Sequence, residues 1–346
     1  MVRLKDIAQL AGVSVMTVSK ALRDEPDVSA ETKSKIKALA QQVGYVPDSS
    51  AQGLRTKTTK LLGLVIPATT NPVYARMVFA IEERAHELGY DVLLAQTLNS
   101  PDREDACLRR LLSRRVDGLL ITPVYRFEAE ARIYMEIAAR KIPTVLLGPP
   151  APFCRNFLSI EIEEVAASFN VTRHLIELGH RQVAYFTGPP AAPWAHERFD
   201  GYRRALREAG LEVDDKLVFA AGGTIEDGAK AAAQMLNEGC CPTAVQTASD
   251  SVAIGCAETL LRQGLKIPED VSIAGFGNIM AAQYYRIPLT TVRQPKYRLG
   301  VAAIETIMQL VRGEKAASRR LPAELVLRQS TAAAKGSPMT TAANKG

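Results

Sequence analysis

The residues with the clearest chemistry lie near the N-terminus. Ser14, Val15, Met16, Thr17, Ser19 and Lys20 fall on a short stretch whose other face, Val18, Ala21 and Leu22, is apolar. A helix with such a mixed face fits the DNA major groove, where each base pair presents a distinct edge. Lys20 can donate to guanine acceptors. Val15 and Met16 can touch thymine methyls, and Ser14, Thr17 and Ser19 can bond phosphates or base edges. Lys5 and Arg23 add phosphate contacts, which position a protein on the duplex without specifying sequence. Nothing comparable supports catalysis. The four histidines (His86, His174, His180, His196) form no HExxH pair, no GxSxG or P-loop occurs, and Gly222-Gly223 is too little for a phosphate loop. The chain is therefore read as a non-enzyme with no cofactor and no metal site. His180, in Leu178-Gly179-His180-Arg181, reads as a helix-end residue.

Three short elements must hold that face. Residues 4–11 read as a helix with Leu4, Ile7, Ala8 and Ala11 on one side. Gly12-Val13 makes the turn, Ser14 caps a second helix over 15–22, and Ser29 caps a third with Ile36, Leu39, Ala40 and Val43 as its stripe before Gly44 stops it. Two helices across a tight glycine turn form a helix-turn-helix. Charge agrees. Residues 1–60 carry ten Lys/Arg against six Asp/Glu, a net +4 of the chain's +6, so a small basic head sits on a nearly neutral body. That distribution suits a polyanion partner. At 346 residues and 47 % hydrophobic content the chain has material for about two domains with real cores. Cys107, Cys154 and Cys256 are scattered and Cys240-Cys241 are neighbours, which is neither a disulfide framework nor zinc spacing. A reducing, cytoplasmic location is expected, with no membrane span and no signal peptide.

The segments LKDIAQLAGVSVMTVSKAL and VSAETKSKIKALAQQVGYVPDSSAQGLR closely resemble the N-terminal module of the LacI/GalR family of transcriptional regulators. Leu4–Arg55 matches almost without gaps. The most specific pieces are Lys5-Asp6-Ile7-Ala8, Gly12-Val13-Ser14, Thr17-Val18-Ser19 and Gly44-Tyr45-Val46-Pro47. The resemblance implies sequence-specific binding to double-stranded operator DNA, most often as a repressor.

Ser49–Arg55 is only two turns long, and an isolated helix of that length is not stable in water. In the resembling family this segment folds as a hinge helix on DNA, two copies lying in the minor groove with a leucine wedged between base steps. The matching residue is Leu54. Such wedges kink DNA at a cost of about a few kcal/mol, offset by wider contact. Ala51 and Gly53 are small, as close packing of two copies needs, Gln52 stands where many members carry Arg, and Arg55 ends the hinge near the DNA.

From Leu61 the texture changes to alternating apolar runs and helical stretches. Strands are expected at 62–66, 91–95, 118–121, 144–147, 183–186, 216–220, 244–246 and 271–275. Helices are expected at 74–88, 104–114, 198–209, 226–236 and 251–263. Such units build doubly wound α/β domains. Thr70-Asn71-Pro72, Gly118, Leu178-Gly179-His180-Arg181, Glu197-Arg198, Gly201-Tyr202 and Pro288-Leu289-Thr290-Thr291-Val292 extend the resemblance to about residue 330. The fold implied is a helix-turn-helix head (1–46), a hinge helix and linker (47–60), and a body (61–330) of two parallel-sheet subdomains like type I periplasmic binding proteins. The chain would cross between subdomains near 160–163, 289–294 and 324–326, and residues 331–346, poor in large apolar residues, would form a disordered tail.

Open α/β sheets bind ligands at the carboxyl ends of their strands. The family's effector site places an arginine and an aspartate at positions matching Arg198 and Asp250, a pair that suits vicinal hydroxyls because Arg donates and Asp accepts. Arg198 is read as opening a helix after the loop 188–197. Val73, Tyr74, Thr97, Trp194 and Asn278 are further candidates, Trp194 as a lone ring in a Pro-rich loop. The chain departs from the family pattern at Gly223, at Glu161-Ile162 and at Gly275-Phe276-Gly277-Asn278. These departures bear on the ligand, a small effector of saccharide type, standard or not, or a non-sugar. A homodimer on a pseudo-palindromic site is expected, joined through Tyr74–Leu88 and the region after Asp102. A bound ligand would close the cleft and change operator affinity by reciprocal coupling of about 1–3 kcal/mol. No residue decides between induction and corepression.

Overall fold

The computed structural model describes residues 2–45 and 58–335. The hinge positions Ala51, Leu54 and Arg55 lie outside the described residues. The chain divides into two compact units, 1–59 and 60–346.

The first unit is three helices, α1 (Leu4–Ala11), α2 (Val15–Leu22) and α3 (Ala30–Gln42). Each boundary has a local cause. Asp6 accepts the Arg3 backbone N–H at 2.8 Å. Gly12 takes a left-handed φ of 69° that closes α1, a conformation open to glycine at no steric cost. Ser14 Oγ accepts the Thr17 N–H at 3.0 Å and Ser29 Oγ accepts the Thr32 N–H at 3.2 Å, so α2 and α3 start on side-chain caps. Ile7, Ala8, Ala11, Val18, Ala21, Val28, Ile36 and Ala40 form the core of this unit.

The second unit holds two parallel sheets. The first has strand order β11-β5-β4-β3-β1-β2, formed by β1 (Leu61–Ile66), β2 (Asp91–Gln96), β3 (Gly118–Ile121), β4 (Thr144–Leu147), β5 (Leu158–Ile162) and β11 (Arg319–Leu321). The second has order β7-β6-β8-β9, formed by β6 (Val183–Thr187), β7 (Val218–Ala220), β8 (Ala244–Thr247) and β9 (Ser272–Ala274). Helices α4 (Pro72–Glu87), α5 (Pro101–Ser113) and α6 (Arg132–Ala139) follow β1, β2 and β3. Helices α7 (Glu164–Glu177), α8 (Pro193–Glu208), α9 (Ile225–Asn237) and α10 (Asp250–Arg262) serve the second half, with the short α11 (Met280–Tyr284) after β9. The continuous apolar runs become strands buried on both faces: five of the six β1 residues are buried, and all of β3, β4 and β8.

The chain passes from the first sheet to α7 at Glu163. It returns after β10 (Thr291–Arg293) through α12 (Lys296–Val311), which packs on α4, and passes again between β11 and β12 (Glu324–Val326), where β12 pairs antiparallel with β10. One apolar cluster runs through both halves along these passages, from Leu62 and Ile81 to Tyr185 and Tyr202.

Residues 331–335, expected to belong to a structureless tail, are instead pinned to the second half. The Ala332 N–H donates to Ser272 Oγ at 3.0 Å, the Ala334 N–H donates to the Leu178 carbonyl at 2.9 Å, and Lys335 pairs with Asp270. His180 makes the anchor. Its Nε2 lies 3.0 Å from the Ala332 carbonyl and its Nδ1 2.9 Å from Thr243 Oγ1. A carbonyl only accepts, so Nε2 carries the proton and Nδ1 accepts from the threonine. Composition missed this because the contacts use backbone groups and small polar side chains.

Candidate functional site

There are two candidate sites, one in each unit. In the head, Val15 (46 % exposed) and Met16 (63 %) stand out from α2, and Lys5 and Ser14 are also exposed. The polar groups of this face are satisfied locally. Ser14 and Thr17 share a hydroxyl–hydroxyl bond of 2.9 Å, and Arg23 Nη1 donates to Ser19 Oγ at 2.7 Å and its Nε to Glu25 at 3.3 Å. Lys20 pairs with Asp27. The Ser14–Thr17 and Lys20–Asp27 contacts are exposed and therefore exchangeable for DNA at small cost, while those of Arg23 are partly buried.

In the body, Arg198 is 6 % exposed and carries its donors in a fixed array. Nε and Nη2 form a fork onto Glu164 at 2.6 and 3.0 Å, and Nη1 donates to the Ala248 carbonyl at 2.6 Å. The guanidinium lies between two rings, 3.7 Å from the centroid of Phe276 and 4.5 Å from that of Trp194. Beneath it Ser168 Oγ donates to the Arg198 carbonyl, and Gln246 Nε2 donates to that hydroxyl at 2.8 Å. Gly188 makes room for the indole: a Cβ there would lie 2.8 Å from Trp194 ring carbons. Gly201 does the same for the α7–α8 contact, where a Cβ would meet the Val165 carbonyl at 2.3 Å.

The electrostatics follow from burial. Glu164 is held above the ordinary carboxylate range by desolvation, against the opposing pull of Arg198. Tyr74 is pushed up to about 12 by burial, with Arg198 lowering and Glu164 raising it, which puts its hydroxyl within the field of that pair. Tyr125, also raised by burial, senses Tyr74, Glu161 and Glu164, and its hydroxyl donates to the Pro149 carbonyl at 2.8 Å.

Several expected positions are displaced. Trp194 and Arg198 do not sit in or just after a long loop: α8 starts at Pro193, because proline at the first helical position is pre-set for the helix, so Trp194 is in its first turn. Asp250 already accepts two internal hydrogen bonds, one on each carboxylate oxygen. It is 1 % exposed as the first residue of α10, capped by Ser249, and its carboxylate accepts from Thr291 Oγ1 at 2.5 Å and from the Ile279 N–H at 2.8 Å. Burial raises its pKa against those two bonds and the nearby Lys296 and Arg328. Asn278 is in the left-handed region (φ 50°), and its Oδ1 accepts from Arg328 Nη2 at 2.5 Å. Val73, placed with Tyr74 by the Asn71 cap of α4, packs against the apolar cluster of the second half. Thr97 is fully buried, its hydroxyl without a partner among the described residues. Glu164, Phe276 and Tyr125 were not foreseen as site residues. The one available signal was the acidic run Glu161-Ile162-Glu163-Glu164, which held too many carboxylates for spacing to choose one.

No described helix is long and apolar enough to cross a membrane, and no His/Cys/Asp/Glu group among the described residues has the makings of a metal site. Residues 59–331 match the family model described as periplasmic binding proteins and sugar binding domain of LacI family, and residues 3–48 match bacterial regulatory proteins, lacI family. The chain is 31 % identical over 338 residues to the HTH-type transcriptional regulator DegA of Bacillus subtilis (strain 168), covering 97 % of this chain and 98 % of that protein. It is 32 % identical over 332 residues to the HTH-type transcriptional repressor CytR of Escherichia coli (strain K12), covering 95 % and 96 %. A crystal structure of the lac repressor dimer bound to operator and the anti-inducer ONPF superposes with a TM-score of 0.85 at 29 % identity over 96 % of this chain and 99 % of that one. A complex of the transcriptional regulator CelR with cellobiose gives 0.73 at 28 % identity over 95 % and 100 %. The chain belongs to the LacI family of bacterial DNA-binding transcriptional regulators.

Proposed function

We propose that this chain is a repressor that binds a pseudo-palindromic operator as a homodimer and changes its operator affinity when an uncharged, hydroxyl-rich ligand of saccharide type occupies the body. The observation that carries this reading is the Arg198 cluster. A forked cation backed by Glu164 and flanked by Trp194 and Phe276 offers both a hydroxyl-binding edge and faces on which a sugar ring can stack. The charge around it carries no excess of cations. Glu161, Glu164, Glu197, Asp200 and Asp250 stand against Arg198, Arg320, Lys296 and Arg328, which leaves no net attraction for an anionic ligand. Tyr74 from the first half lies within the field of Arg198 and Glu164. Asp250 also holds the 275–279 loop through the Ile279 N–H.

In the head, Lys20, Val15, Met16, Thr17 and Ser19 read base edges, Lys5, Ser14 and Arg23 touch phosphates, and Leu54, with Ala51 and Arg55, makes the minor-groove contact. Relatives support the pairing of roles: the lac repressor structure is a dimer on operator, and the CelR structure holds cellobiose. The test is binding-site selection with the purified chain. Anisotropy titrations on the selected site should follow, with and without D-ribose, D-galactose, cellobiose, glucose 6-phosphate and uridine. A palindromic site and a shift with a neutral member of the panel are expected. A shift with glucose 6-phosphate alone would overturn the neutral-ligand reading, and failure to select any site would overturn the repressor.

A further inference from the structure

Arg320, on β11, stands in register opposite Glu161 on β5. Its Nη2 lies 3.0 Å from Glu161 Oε2 and 3.1 Å from Glu197 Oε1. Glu161 is almost fully buried and held from the other side by the Ser159 hydroxyl, while Glu197 belongs to α8 in the second half. Neighbouring residues of α8 therefore take different partners. Arg198 takes Glu164 at the start of α7, and Glu197 takes Arg320 on the strand that leads into the last passage between the halves. Arg320 also lines a pocket of about 300 Å³ with Glu163, Phe169 and Arg204, so this side of the tie faces solvent.

An isolated ion pair with one half-exposed partner contributes little. This arrangement is different, because a single guanidinium separates two carboxylates that belong to different halves. Without it, Glu161 and Glu197 confront each other in a shielded place, with Asp200 adding to the repulsion. The first turns of α8, which carry Trp194 and Arg198, would then be driven off β5.

We propose that Arg320 is a positioning residue for the ligand site: it ties the first turns of α8 to the six-stranded sheet, so that any rotation of the two halves on ligand binding is carried through this contact. The inference rests on assigning Trp194 and Arg198 to the ligand site, but its test needs no ligand. Trp194 is the sole tryptophan of the chain, so its quenching by acrylamide reports the tightness of this turn directly. The full chain is compared as wild type, Arg320→Gln, Arg320→Lys, Glu197→Gln and the Arg320→Gln/Glu197→Gln double variant, with thermal melts alongside. Arg320→Gln is expected to raise the quenching constant about twofold, Arg320→Lys to restore most of the protection, and the double variant to fall back toward Glu197→Gln because the repulsion is gone. Should Arg320→Gln fail to fold, Glu197→Gln, which cuts the tie without creating a like-charge contact, carries the test through a smaller rise. Unchanged quenching in Arg320→Gln and Glu197→Gln, or no rescue by lysine, overturns the proposal. Failure of every panel ligand to bind would instead strike the reading of the ligand site and leave this result standing.

Discussion

Lys20–Asp27 in the head and Arg198–Glu164 in the body are the same kind of contact in two media. The first pair has side chains 37 % and 51 % exposed, the second 7 % and 6 %. Water screens the first, so it is easily exchanged for a phosphate or a base edge. The second has lost its hydration and is held together only by the fork geometry and the neighbouring bonds. The contrast teaches where this molecule can be cheaply rewired and where it cannot. A DNA-reading face must give up its internal partners on binding, and a ligand site must keep its donors aimed before the ligand arrives.

The largest expected effect comes from breaking the buried side of this contrast. Glu164→Ala leaves Arg198 unpaired in the interior and should destabilise the body by about 3–5 kcal/mol, read by denaturant unfolding. The head should still fold. If the body loses less than about 1 kcal/mol, the Arg198 pair behaves like a surface contact and the contrast fails. Next in size is Leu54→Ala, which should weaken specific operator binding by about 2 kcal/mol, roughly thirtyfold, while ligand binding is unchanged. Equal operator affinity would remove the wedge from the account.

On the exposed side, Lys20→Ala should cost about 1–2 kcal/mol on the selected operator and relax preference at one base pair, with little loss of stability. Asp27→Asn sharpens the comparison by acting in the opposite direction. It frees Lys20 and should raise operator affinity by about twofold, with an unchanged melting temperature. A clear loss of stability in Asp27→Asn would mean that the exposed pair is structural after all.

The smallest effect is a pH effect, and its sign separates the units. In the head, Asp24 and Asp27 are held below the usual carboxylate range by hydrogen bonds from Lys37 and Lys20, and the head contains no histidine. In the body, burial lowers the pKa of His180, against the pull of the Ala332 carbonyl. A base whose folded-state pKa is depressed supports folding fully above its unfolded value, about 6.5, and loses that support as the pH falls from there through its folded-state value. Through His180 the body should therefore lose stability between pH 7.5 and pH 5, an effect that His174 adds to and that the burial-raised carboxyls of Glu104, Glu164, Glu197 and Asp250 oppose, so comparing wild type with a His180 variant isolates it. His180→Gln should reduce that loss, with no counterpart in the head.

The same contrast decides what was legible in the sequence. The head could be read almost residue by residue because its determinants are local: Ser14 caps the N–H of Thr17, Gly12 ends α1, and the apolar stripes follow the helical period. Eight strands of the body were legible as apolar runs, but β5, β10, β11 and β12 and the helices α6, α7 and α12 were not read. Around the proposed ligand site, Arg198 and Trp194 were named in advance, but Glu164 and Phe276 come from separate places in the chain, and spacing carries no information about such a meeting. The start of α8 was misplaced because His196 and Glu197 look like a loop continuing from the prolines, whereas Pro193 begins the helix. Asp250 carried the right residue type for ligand contact, yet Thr291 and the Ile279 backbone already occupy its carboxylate. Type and position cannot reveal which internal partners a group already has.

The most direct test of the central claim, that one chain reads DNA and lets a small ligand govern the reading, is the affinity of the full-length protein for its selected operator with and without ligand. Anisotropy at fixed salt should show sequence-specific binding that changes by about 5- to 150-fold when a neutral saccharide-type ligand is added. Trp194→Ala should bind the operator normally and lose that change. Binding that does not discriminate the operator from bulk DNA, or a Trp194→Ala variant that responds as the wild type does, would contradict the account.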